Sequence, residues 1–153
     1  MFFIASFVIS WVVWLIFADK QRWKELFPVA IFAGYLAGLS DDLMRNVELW
    51  SYKYNPEKNA LIEFLTDIGI YIVTTYLFIQ WFPKKRVWLV FRYLFIWTGF
   101  TITMEWIYFV TGHIQYHKWW NIGWSYFSDW LLFLLFYLFH KNFKLERLND
   151  NQR

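Results

Sequence analysis

The stretch VWLVFRYLFIWTGFTITMEWIYFV, Val87 to Val110, decides how this chain must fold. It carries two charged residues, Arg92 and Glu105, and is otherwise almost wholly apolar or aromatic. As an α-helix, rising about 1.5 Å per residue, it reaches roughly 36 Å. The hydrocarbon of a bilayer is ~30 Å thick. A helix that is apolar all round needs an apolar surrounding on every side. The stretch therefore reads as a transmembrane span.

Four further stretches repeat the pattern. They are FFIASFVISWVVWLIF (Phe2–Phe17), PVAIFAGYLAGLSDDLM (Pro28–Met44), LIEFLTDIGIYIVTTYLFIQW (Leu61–Trp81) and IGWSYFSDWLLFLLFYLFH (Ile122–His140). The first two are short and ask for local thinning or interfacial anchoring. Phe2–Phe17 has no basic segment before it and no small-x-small site after it, so it reads as a retained span and not as a cleaved leader. The expected fold is an all-α integral membrane bundle of about five transmembrane helices over residues 1–142. A polar tail follows over 143–153.

Composition agrees. The 153 residues are 59% hydrophobic and 26% aromatic, and 18% are charged. Soluble domains carry near ~25% charge, so the supply is short for a water-facing surface. The net charge is +3, but the basic residues sit mainly in short connections and form no stripe, which argues against nucleic acid as a partner. Membrane lipids are the expected partners, with a second copy or another membrane protein as further candidates. With no cysteine, disulfides are excluded.

The connections set an expected orientation. Lys20, Arg22, Lys24, Lys84, Lys85, Arg86, Lys141, Lys144 and Arg147 fall on one side of five spans. Arg45, Lys53, Lys58 and Lys118 fall on the other. The positive-inside rule then puts the amino terminus outside and the carboxyl terminus in the cytoplasm.

That orientation gathers the acids. Asp41, Asp42, Glu63, Asp67, Glu105 and Asp129 all come to the outward side, with His113 and His117 in the loop above them. A charged side chain at mid-membrane costs roughly 2.5–3.5 kcal/mol on insertion scales, so these groups are expected to face the bundle interior. The reading is an outward-facing polar pocket made by Asp41, Asp67, Glu105, His117 and Asp129. Asp42, Glu63, His113 and Arg92 are secondary candidates. The bland alternatives stand beside it. Asp41 and Arg45, four apart, suit a salt bridge at the rim. Asp129 near a helix start suits capping. Arg92 suits snorkelling to headgroups. Gly34 and Gly38, four apart in AGYLAG, suit close helix packing.

His113 and His117 share HxxxH spacing, which on a helix converges two rings on a divalent transition metal. Gly112 precedes them and weakens that geometry. The same groups offer general acid–base chemistry for a hydrolase acting on a lipid or amphiphile, or ligands for proton- or cation-coupled transport. A ligand- or partner-binding module and a structural assembly subunit need no chemistry at all. No confident cofactor follows.

The ordered pieces RWKELFP, LSDDLMRNVELWSYKYNP, Glu105–Trp106, GHIQYHKWWNIGWS and His140–Lys141 resemble a family of small multi-pass membrane proteins from spore-forming Bacillus and Clostridium relatives. The likeness runs from about Trp23 to Lys141. It implies a bacterial cytoplasmic-membrane protein of about five helices, with an association with spores, and supplies no activity. Asp41, Trp50, Tyr52, Glu105, His117, Trp120 and Asn121 are the positions it singles out. NALIEFLTDIG departs from the family's pattern, so Glu63 and Asp67 belong to this branch.

Overall fold

The computed structural model of the protein describes residues 2–53, 56–83 and 86–150. Lys84, Lys85 and residues 151–153 lie outside the described residues, as does the side chain of Lys58. Helix α1 is Phe2–Phe17 and α2 is Trp23–Val47. A strand β1 (Trp50–Tyr52) leads to α3 (Pro56–Leu65), which continues through a π-helical segment (Thr66–Tyr71) into α4 (Ile72–Gln80). Then come α5 (Val87–Val110), strand β2 (Ile114–Tyr116), α6 (Ile122–Asn142) and the short α7 (Arg147–Asp150).

Four helical stretches are long and apolar enough to cross a membrane: Lys20–Val47, Ala60–Gln80, Val87–Val110 and Ile122–Asn142. Helix α1 is apolar but shorter. The lateral surface is greasy: Val87 is 74% exposed, Trp88 75% and Ile96 58%. Such a surface calls for an apolar solvent, and the architecture fits an integral helical bundle.

The core forms where α2 meets α4. Leu26, Val29, Ala30 and Ala33 recur at helical spacing and pack on Val73, Tyr76, Leu77 and Phe78, with Leu94, Phe133 and Phe136 closing the cluster. Small residues let the backbones approach. A Cβ on Gly34 would lie 3.1 Å from the Asp67 carbonyl oxygen and 3.1 Å from Ile72, and one on Gly38 would lie 3.2 Å from Asp67 Oδ2. Gly69 admits Phe7 of α1, whose ring would sit 2.6 Å from an added Cβ.

The third apolar stretch is not one regular helix. Thr66 donates its hydroxyl to the carbonyls of Ile62 (3.0 Å) and Glu63 (2.8 Å), at the start of the π-helical segment. Side-chain bonds of this kind compete with the regular backbone ladder. The second helix is longer than its apolar stretch and starts at Trp23, ahead of Pro28. Its start is held by ionic contacts. Arg22 grips Glu25 through two bonds (2.7 and 2.9 Å), and His140 of α6 reaches the same carboxylate at 2.9 Å. Arg22 also donates to the Gln80 carbonyl at the end of α4. Gln80 in turn donates to the Phe17 carbonyl and accepts from the Asp19 amide, which ties in α1.

The histidine segment is a strand, not a helix. Gly112 takes φ +72°, a conformation L side chains rarely adopt, and ends α5. β2 then pairs antiparallel with β1, with Trp50 opposite Tyr116, Ser51 opposite Gln115 and Tyr52 opposite Ile114.

Two outcomes follow, both read by thermal unfolding in a mild detergent. Gly34→Leu lowers stability by about 1–3 kcal/mol through overpacking, whereas Gly99→Ala, with nothing within 4 Å of the added Cβ, does not. Glu25→Ala, at a site 2% exposed, costs about 3–5 kcal/mol because it strands Arg22 and His140.

Candidate functional site

Away from the Glu25 contacts, the other end of the bundle contains a cavity of about 170 Å³. The same end gathers the start of α1, the end of α2, the π-helical segment, the end of α5 and the start of α6. The sheet lies across it and contributes Trp50, Tyr52 and Ile114 to the lining. That volume has room for several waters or a small polar head group.

Three carboxylates from three helices line it: Asp41 of α2, Glu105 of α5 and Asp129 of α6. Asp41 extends the buried stripe Ala30, Ala33, Ala37 by one more turn, and so enters the interior. It is 6% exposed, and its Oδ2 atom is buried without a hydrogen-bond partner among the described residues. Asp129 accepts from the Thr101 hydroxyl at 2.7 Å. Glu105 accepts from the Tyr116 hydroxyl at 2.5 Å. Trp120 donates its indole N–H to Ser125 at 3.0 Å, fixing the ring beside the cavity. Most of the remaining wall is aliphatic and aromatic, from Ala33 and Leu36 to Phe133 and Phe136.

Burial, then the Glu105 carboxylate, pushes the Tyr116 phenol well above its ordinary value. Burial, then Asp41, does the same for Tyr52. Both hydroxyls therefore stay protonated at neutral pH, and that of Tyr116 donates to Glu105.

Other expected members lie elsewhere. Asp67 is not on the cavity wall: it packs against Gly38, with Oδ1 buried and without a hydrogen-bond partner among the described residues. His117 is exposed at the rim, bonded through Nε2 to Ser51 Oγ at 2.7 Å and through its amide to the Leu49 carbonyl. Alternation along β1 explains this. Trp50 and Tyr52 face the cavity, so Ser51 and its partner His117 take the other side. Ser125 is buried against Trp120.

His113 bonds Thr111 at 2.8 Å and meets the Phe3 ring edge-on at 5.6 Å. With strand between them, the two histidines stand roughly 13 Å apart along the chain, too far to share a metal. Among the described residues no group of three His, Asp or Glu side chains is arranged to hold an ion.

The rim pair is also rearranged. Arg45 bonds Glu63 at 2.5 Å and Asp42 at 3.3 Å, because Asp41 has turned inward. The cap of α6 is Asn121, which accepts from Gly123 and Trp124, so Asp129 is free for the cavity. Arg92 is exposed on α5 and is not part of this wall.

Residue-by-residue reasoning on charge alone overlooked Tyr116 and Thr101. The strand alternation in WSY and IQY was the signal that places aromatic rings over the acids.

No family model, curated protein or solved structure matches this chain.

Glu105→Leu removes the acceptor of the Tyr116 hydroxyl and lowers stability by about 1–3 kcal/mol, while Glu105→Gln keeps an acceptor and loses less. Thermal unfolding of both variants in detergent checks the order.

Proposed function

We propose that the protein is a membrane-embedded binding module whose cavity takes an amphiphile with a cationic head group. One observation carries this reading. Three carboxylates converge from three helices on one cavity with largely apolar walls, and one carboxylate oxygen of Asp41 is buried without a hydrogen-bond partner among the described residues. Buried polar groups normally find partners, and a ligand ammonium would supply one. Apolar walls with a few convergent polar groups are the usual form of a small-molecule site. The hydroxyls of Tyr116 and Thr101 already serve Glu105 and Asp129, so the ligand's charge is best met at Asp41.

The positions singled out by family resemblance add support. Asp41, Trp50, Tyr52, Glu105 and Trp120 all line the cavity. Membership of that family of small bacterial membrane proteins is part of this proposal, and so is residence in the cytoplasmic membrane. Charge in the connections favours the amino terminus and the cavity outside, and the carboxyl terminus in the cytoplasm. An association with spores rests on the resemblance alone.

The test uses detergent-purified protein and a long-chain alkylamine, with the alcohol of the same chain length as control. Binding, followed by tryptophan fluorescence and calorimetry, is expected to favour the amine by about tenfold or more, and Asp41→Asn is expected to abolish that preference. Equal affinity for amine and alcohol in the parent protein sinks the proposal. Ion-driven flux in proteoliposomes, lost in Glu105→Gln, would favour transport instead. Conversion of an amphiphile by the purified protein would favour a hydrolase.

A further inference from the structure

A second cavity of about 370 Å³ lies at the opposite end of the bundle, beside the Glu25 contacts. Its charged lining comprises Arg22, Arg86, His140, Lys141 and Glu146. Beneath them lie Phe82, Val90 and Tyr137. We propose that this cavity holds the phosphate headgroup of an anionic lipid.

The charges are unequal in what they can offer. Arg22 and His140 both turn toward Glu25, at 2.7 and 2.9 Å, and are largely answered by it. Arg86 and Lys141 are exposed, and neither makes an ion pair among the described residues. Lys141 Nζ sits 5.8 Å from the Tyr137 ring, which holds the ammonium over the cavity wall. Glu146 is the acid on this wall and offsets part of the positive charge. The balance still favours an anion.

The backbone adds to it. α5 begins after Arg86 with no side-chain cap, so the amides of its first turn lack that partner. An uncapped start of a long helix attracts phosphate through those amides and through the helix dipole.

The apolar part argues for a lipid over a free solute. Val87 lines the cavity and is 74% exposed, and its neighbour Trp88 is 75% exposed. The cavity is therefore continuous with the lateral apolar surface, where acyl chains would lie. Its cationic groups sit at the ends of α5 and α6, at headgroup depth for a bundle of this length. Basic pockets between helices at that depth suit anionic headgroups. This site shares no residue with the carboxylate cavity, so either can fail alone.

The experiment measures lipid retention. Purified protein is equilibrated with neutral-detergent micelles carrying phosphatidylglycerol or phosphatidylcholine, and bound lipid is read by native mass spectrometry. The parent is expected to retain phosphatidylglycerol in preference. The Arg86→Gln, Lys141→Gln double variant is expected to lose affinity about tenfold or more, and either single variant about threefold. Lys20→Gln with Lys144→Gln, which leaves the lining intact, is expected to change nothing. Equal retention of the two lipids overturns the proposal, as does full retention by the double variant. Displacement by inorganic phosphate as readily as by short-chain phosphatidylglycerol overturns the lipid assignment. The exposed single variants keep the test open if the double variant does not fold.

Discussion

The buried carboxylate of Glu25 is the contact on which the rest of the bundle depends. It receives Arg22 from the turn before α2 and His140 from the end of α6. Through Arg22 and Gln80 the same network reaches the ends of α1 and α4. A buried charge left alone is costly, so the geometry of these groups is tightly determined. With one end of the helices tied this way, the other end is free to diverge around a cavity. The two ends therefore solve the same problem differently. Around Glu25 the charges pair with each other, whereas at the other end Glu105 and Asp129 accept from hydroxyls.

Between these ends the helices have little hydrophobic drive to associate if lipid surrounds them, because lipid is as apolar as their side chains. Fit must do the work. Gly34, Gly38 and Gly69 remove side chains where α2, the π-helical segment and α1 cross. Rings fill the remainder: Phe82 stacks on Tyr137 at 4.2 Å, and Phe32 on Phe139 at 4.4 Å. The high aromatic content is in this sense a packing device as much as an interfacial one.

Much of this was legible in the sequence and some was not. Val87–Val110 and Ile122–His140 announce spans because length and apolarity are local properties, and both are helical. The inward turn of Asp41 was legible once it was placed on the alanine stripe. The fate of His117 was not, since it depends on a strand paired with residues some sixty positions away. HxxxH has meaning only on a helix, and Gly112 ends that helix first. Asp67 lies in the π-helical segment, whose geometry no residue spacing in the stretch announces.

That segment has a consequence for how the span tolerates change. A π turn amounts to one residue more than an α-helix needs, so it advances the angular phase of all that follows by about 100°. The half before it, with Ile62 and Glu63, and the half after it, with Val73 and Tyr76, therefore obey two separate periodicities. Substitutions that suit one half carry no obligation to the other. A single-residue deletion inside the segment would restore one continuous phase, and would swing the cavity end of the helix away from its neighbours while the core end stayed in place.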